Sequence, residues 1–253
     1  MGRNFISKQS FCAPMHLSKP HEDAGALVVN LVNPTAGLFD GDEVEIIARV
    51  NPGARLVLTT PSANRIYKSR SGSAARVIQK ISAGPGSFVE FIPEPIIPQA
   101  GAIYDQRTVI HAEAEAEVIF FEWLAPGRVA SGEAFRYQQL DWHMDISSAS
   151  LLVARERYQI RPGVPATIAP LTHKFPLGHY LGAFVITNKS LPPDQLGALS
   201  NESAYLGWSQ LQNGGWCIKA LCADSLSTRR LLEKLRRILY LTLERRMPHL
   251  GRF

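Results

Sequence analysis

The chain has 253 residues of which 45% are apolar by type, enough for a large core in one or two domains, and a single elongated domain is the expectation. A net charge of +5 with 19% charged residues is a mild, dispersed excess and gives no argument for a nucleic-acid partner. No apolar run approaches the roughly 20 residues of a membrane-spanning helix, and the first residues lack the apolar stretch of a secretory signal, so a cytoplasmic protein with no membrane partner is expected. Cys12, Cys217 and Cys222 are odd in number and lack a metal-knuckle spacing, and read as reduced, mostly buried thiols.

From about residue 26 to 159 short strand patterns alternate with Gly/Pro punctuation. Strands are expected at 27–31, 43–50, 55–60, 76–81, 88–92, 108–111, 117–123, 135–144 and 150–155, each rich in β-branched or aromatic residues. Pro-Gly pairs at 52–53, 85–86, 126–127 and 162–163 punctuate them, and the strands beginning near residues 54, 87 and 117 recur about thirty residues apart. That period fits a β-solenoid, in which each coil buries its inner face against its neighbours, and also fits a β-sandwich with regular turns. After Gly163 the character changes. Pro193 opens a short helix, 216–222 is strand-like, and a long helix is expected over 227–246 with Ser227 or Asp224 as N-cap. Its Leu231, Leu232, Leu235, Ile238, Leu239 and Leu243 lie three or four residues apart, a packed apolar stripe with a basic solvated face.

Carboxylates mark the candidate sites. Asp40, Asp42 and Glu43 crowd around Gly41, a pattern that suits either attraction of a divalent cation or simple capping of a turn. Glu94 sits in a Pro-bounded loop and Glu133 follows Ser131-Gly132, where either carboxylate edges a polar channel or is solvated. Asp141, His143 and Asp145 share one strand face at period two, a possible nitrogen/oxygen cation site if a second strand supplies ligands. His111, Glu113, Glu115 and Glu117 repeat the pattern and read as a solvated sheet face; His173 and His179 are isolated. The phosphate-loop, His-Glu-x-x-His and Gly-x-Ser-x-Gly patterns are all missing, which fits a scaffold better than an enzyme.

Four stretches carry a family resemblance. They are Asn33-Pro34-Thr35-Ala36-Gly37-Leu38-Phe39-Asp40-Gly41-Asp42, then Leu58-Thr59-Thr60-Pro61-Ser62-Ala63-Asn64-Arg65-Ile66-Tyr67-Lys68-Ser69, then the segment 91–102 around Pro93-Glu94-Pro95, and Gly127-Arg128-Val129-Ala130-Ser131-Gly132-Glu133-Ala134-Phe135. In order and spacing the chain resembles the urease accessory protein UreD (UreH) family over nearly its whole length. Ala36 stands where that family usually has a first Gly, Pro95 replaces a common Thr, and a family-typical first strand or two before Phe11 has no counterpart.

The resemblance implies a mainly β, elongated, helically wound stack of short strands (about 11–163) followed by a small mixed α+β part (about 164–253). It implies a non-enzymatic nickel metallochaperone scaffold with no tightly bound cofactor and nickel(II) in transit. A UreF-like accessory protein, a UreG-like GTPase through it, and apo-urease are the implied partners. Asp42, Glu43, Glu94, Ser131, Glu133 and Asp141 are the nickel-path candidates that follow, and Gly37, Gly41, Thr59, Thr60, Tyr67 and Gly132 the structural motif positions. Two other readings fit the residues: a β-solenoid carbohydrate hydrolase with Asp42 and Glu94 as acid and base, and an interaction module that keeps the fold without nickel transfer.

Overall fold

The computed structural model describes residues 4–35 and 37–250, so the departure at Ala36 lies outside the described residues. The thirty-residue period is a β-solenoid of about four turns. One long sheet face stacks Ala26–Val32, Arg55–Thr59, Phe88–Ile92 and Glu117–Leu124 in parallel, with Leu27, Leu56, Val89 and Val118 in register. The other stacks Glu43–Val50, Ala75–Ala83, Ile103–Ala112 and Gln139–Ser148, again in parallel. Short strands Gly37–Leu38, Asn64–Ile66 and Ile96–Pro98 form the corner between them. At the opposite corner Pro52-Gly53 and Pro85-Gly86 turn the chain, and Gly53 (φ +70°) and Gly86 (φ +62°) hold the left-handed conformations that glycine adopts without steric cost; Pro126-Gly127 and Pro162-Gly163 lie elsewhere, after Glu117–Leu124 and Leu151–Ile160.

The first sheet is buried on both faces, which explains why its strands lack alternation. From Glu117–Leu124, Val118 and Phe120 point into the coil beside Val89, Phe91, Ile110 and Met144. The alternate residues Ile119, Phe121 and Trp123 meet the long helix through Leu231, Leu235 and Leu239. Parallel stacking ends at the fourth coil. His179–Ile186 adds antiparallel to Glu117–Leu124, followed by Trp216–Cys222 and Ala204–Gln210, while Leu151–Ile160 closes the second sheet as an antiparallel hairpin.

Several elements differ from expectation, among them Ile103–Ala112, expected only at 108–111, and Leu151–Ile160, expected at 150–155. His179–Ile186 and Ala204–Gln210 were not anticipated, nor was the helix Pro165–Thr172; the first is a wholly buried apolar run, which carries no period. The strand expected at 135–144 is Gln139–Ser148, because Phe135 takes φ +51° and its N–H donates to the Pro126 carbonyl as the chain leaves the 127–134 turn. The long helix is Ser225–Thr242 rather than 227–246. Asp224 caps it by accepting the Ser227 N–H at 2.7 Å while the Ser227 hydroxyl accepts from the Asp224 N–H at 3.1 Å, a complete capping box. It stops where Glu244 takes φ +54° and Arg245 N–H turns back to the Tyr240 carbonyl. Cys217 and Cys222 are buried, with both thiols pushed up to about 11 by burial, whereas Cys12 is exposed.

The coil ends are closed unequally. Strands His16–Leu17 and His21–Asp23 pair with Ala26–Val32, so this edge of the first sheet is covered. Among the described residues Glu43–Val50 has no ladder partner on its outer side. Its outward row is Glu43, Glu45, Ile47 and Arg49, charges that discourage edge pairing around one exposed isoleucine. Ile47→Lys should reduce concentration-dependent association in light scattering while changing stability by less than about 0.5 kcal/mol, as an exposed substitution does.

Candidate functional site

The acidic loop is built by close approach. A Cβ on Gly37 would lie 2.8 Å from the Tyr67 ring and inside contact distance of the Arg65 carbonyl, and Tyr67 stacks on Phe39 with centroids 4.5 Å apart. Gly41 takes φ +82°, and Asp42 then closes the turn, its Oδ2 accepting the Phe39 N–H at 2.8 Å. Asp40 accepts the backbone N–H groups of Ser71 (2.9 Å) and Arg70 (3.0 Å), which hold its carboxyl below the usual range. Glu43 is exposed on its strand and pairs with Arg76 of the next coil at 3.1 Å. Asp40 and Asp42 of this loop thus both accept backbone N–H groups.

The following coils repeat the theme. Thr59 is fully buried and donates to the Ile92 carbonyl at 2.7 Å, and Thr60 Oγ1 accepts the Glu94 N–H at 2.8 Å, tying two corners together. The Glu94 carboxylate is buried and forms a bidentate pair with Arg229 of the long helix at 2.9 and 2.6 Å. Gly127 has φ +137° and presses on the Glu133 carbonyl, a position closed to any side chain. The short helical turn Val129–Ser131 ends at Gly132 (φ +70°), leaving Ser131 exposed. Glu133 turns back to Arg128, accepting Nε at 2.8 Å and a second guanidinium N–H, and accepts the Ala100 N–H at 3.1 Å; Arg128 first and then that N–H lower its carboxyl to about 2.

Asp141, His143 and Asp145 do share a strand face, but the structure does not gather them into a metal site. Arg161 holds Asp141 at 2.8 and 3.2 Å, and Arg155 and Arg157 hold Asp145 at 2.8 to 3.0 Å. His143 lies between Arg107 and Arg157 in the ladder, so a divalent cation there would meet guanidinium charge. Among the described residues no three His, Cys, Asp or Glu side chains are placed to hold a metal ion. The row from His111 to Glu117 is broken by a turn at Glu115 (φ +59°), and Glu117 pairs with Arg245.

The chemistry that sequence reasoning missed is inside the coil. A cavity of about 80 Å³, room for several waters, has a lining that runs from exposed Ser62 through Thr60, Asn64 and Glu94 to buried Gln79, Tyr104, Gln106, Glu122 and Trp142. Tyr104 donates to Gln106 at 2.7 Å, Gln106 to Thr108 at 3.3 Å, and Thr108 to Gln79 at 2.9 Å. Glu122 is 1% exposed, and neither its carboxyl oxygens nor the Trp142 indole N–H of the second sheet closes a full hydrogen bond, although that N–H faces the carboxyl and favours its charged form. Burial pushes Glu122 up to about 8. The available signal was parity: Glu122 shares its strand face with Val118 and Phe120, and an acidic residue at an inward position is out of place unless it has a task.

His179, also passed over, accepts the Trp123 indole N–H at 3.2 Å and is lowered to about 4 by burial.

Comparison with known proteins agrees with the motifs. The UreD urease accessory protein family model matches residues 1–252. A urease accessory protein UreD from Opitutus terrae is 33% identical over 243 residues, covering 94% of this chain and 89% of that protein. One from Herpetosiphon aurantiacus is 30% identical over 217 residues, covering 85% and 75%. A urease accessory protein UreH from Helicobacter hepaticus is 27% identical over 236 residues, covering 91% and 89%. These relatives are named as accessory proteins rather than enzymes, and this chain belongs to the UreD urease accessory protein family.

Proposed function

We propose that this chain is a non-enzymatic scaffold of urease maturation in the cytoplasm, joining a UreF-like accessory protein, through it a UreG-like GTPase, and apo-urease while nickel(II) passes to the urease site. Family membership supports the maturation role, and the observation offered for nickel transit is the interior cavity, whose mainly apolar lining carries the oxygen groups of Glu94, Glu122, Gln79 and Gln106. Nickel in transit needs weak, exchangeable oxygen ligands, since a closed Cys/His cage would retain it. Of the six path candidates, Glu94 borders the cavity. Asp42, Glu43, Ser131, Glu133 and Asp141 belong to corner loops and an outer strand face, where they suit cation entry. Asp42 as turn cap and Glu94 as partner of Arg229 stand in separate settings, which gives the hydrolase reading no acid and base pair. No helix among the described residues is long and apolar enough to cross a membrane.

Co-expression of the tagged chain with the UreF-like protein and apo-urease from the same source is the test. Capture of both partners and nickel-dependent activation that requires the chain are expected; capture of neither reduces the relationship to one of fold. Asp42→Ala and Glu133→Ala should each lower activation while partner capture and folding persist, and full activation by the double variant would remove both from the route.

A further inference from the structure

Glu43–Val50 ends the second sheet at the first coil, with no ladder partner on its outer side among the described residues. The Arg76 N–H donates to the Asp42 carbonyl and the Gly84 N–H to the Val50 carbonyl, both at 2.8 Å, so the even-numbered residues of the strand turn their backbone groups to Ala75–Ala83. Those of Glu43, Glu45, Ile47 and Arg49 point to the free edge, because alternate residues of a strand bond to opposite sides. The same four side chains stand exposed on the outer face, while Ala48 and Val50 are buried inward. A groove of about 590 Å³, lined by this strand and by residues of the N-terminal stretch 4–17, runs along the edge, with Phe5 and Phe11 exposed in its wall.

The order of the exposed row decides what can pair with it. Its charges resist an arbitrary strand, but laid antiparallel on a second copy about a two-fold axis at Ile47 the row matches itself. Ile47 then meets Ile47, and Glu45 of each copy meets Arg49 of the other. These opposed positions are the ones whose backbone groups are free, so each pair can exchange two N–H···O bonds. Arg49 lies beside Ser82 in the ladder and has no ion-pair partner among the described residues. Glu45 is held by the exposed Lys80 through one oxygen at 2.8 Å, which leaves the other for a guanidinium. We propose that the chain pairs with a second copy of itself along Glu43–Val50, two-fold at Ile47, so that the two second sheets run on as one. The strip of contact is narrow, and a reversible dimer of micromolar strength is expected. The pairing does not depend on the maturation reading.

Sedimentation of the purified full-length chain tests it. The parent should pass from monomer to dimer as its concentration rises. Arg49→Glu sets a carboxylate against Glu45, and Glu45→Arg sets a guanidinium against Arg49. Each should weaken the dimer about tenfold or more through like charges directly opposed while leaving the melting temperature nearly unchanged, since both positions are exposed. A mixture of the two variants should dimerise where neither does alone, because both crossings are then opposite in charge, and the chain carrying both substitutions should dimerise too. A merely structural role for either residue would give no recovery on mixing. A second measurement reads the register. In a Cys12→Ser background Ile47→Cys should form a crosslinked dimer on mild oxidation, since opposed hydrogen-bonded residues have Cα atoms about 5.5 Å apart, within disulfide reach, and Arg49→Cys should not. The crosslink is read in lysate on a non-reducing gel, so aggregation of the purified chain does not decide the matter. A parent chain that stays monomeric well above micromolar concentration and gives no Ile47→Cys crosslink overturns the proposal and leaves the edge to a strand of a different protein. Self-association that neither charge reversal weakens overturns it equally.

Discussion

Replacing Arg236 with Met is expected to cost about 3–5 kcal/mol of folding stability, because it leaves a buried carboxylate without its counter-charge. Glu90 is fully buried on the helix-facing side of Phe88–Ile92, with each oxygen engaged: Arg236 Nε and Nη2 reach it at 2.6 and 2.7 Å and the Tyr240 hydroxyl at 2.7 Å. Arg236 Nη1 continues to the Pro248 carbonyl at 3.0 Å, so one guanidinium joins solenoid, helix and C-terminal segment. The same contact raises the Arg236 and Tyr240 groups above their ordinary values, Tyr240 mainly through burial. A loss of that size corresponds to a fall of roughly 10 °C in Tm for a chain of this length. Glu90→Leu combined with Arg236→Met should recover most of it, since removing both charges takes away the desolvation penalty along with the attraction. Thermal unfolding of the parent, the single and the double variant decides the point: equal melting temperatures for parent and R236M would show that the pair contributes nothing to holding the helix.

Glu122→Gln should act in the opposite direction, stabilising the protein by about 2–4 kcal/mol near pH 7.5. Burial raises the folded-state value from 4.5 to about 8, with Glu156 adding to the rise and Lys219 and Trp142 opposing it. Between those values the unfolded chain has released the Glu122 proton while the folded protein retains it. The contribution is therefore fully present below about 4.5 and is lost as pH rises towards 8, at about 1.4 kcal/mol per pH unit. His179, lowered to about 4 by burial and pulled the other way by Asp224, has the reverse sign, losing stability as pH falls below 6.5. The clean window is therefore pH 6.5 to 8, where denaturant midpoints of the parent should decline with pH and those of E122Q should stay nearly level. Parallel declines in the two proteins would place the titrating group elsewhere.

Strands were legible in both sheets of the coil where turn residues bound them, Phe88–Ile92 at its true bounds although both its faces are buried. Glu43–Val50, with its strict exposed and covered alternation, was expected at its true bounds, and the Pro-Gly pairs at 52–53 and 85–86 marked coil corners because only particular residues make those turns at low cost. The stripe from Leu231 to Leu243 told which side of the helix packs, although its last turn was placed too far along because the reversal at Glu244 depends on contacts made after docking. His179–Ile186 was invisible to periodicity, being buried on both faces between Glu117–Leu124 and Trp216–Cys222.

The candidate site divides along the same line. Local chemistry in the sequence determined the turns at Gly41 and Gly132, the capping box at Asp224 and the thirty-residue winding of the coil, because each depends on neighbours a few residues away or on a repeat that stacks on itself. Only the tertiary structure decided which carboxylates are spent and which is left. Glu94 and Arg229 are 135 residues apart and Glu90 and Arg236 are 146, so their pairing waits on the helix docking against the first sheet. Glu122 faces inward because the ladder register puts Phe120 against Phe91, and a shift of one residue would have turned it out to the helix. Charge, burial and register at these positions are set by distant parts of the chain meeting, and no local pattern encodes that meeting.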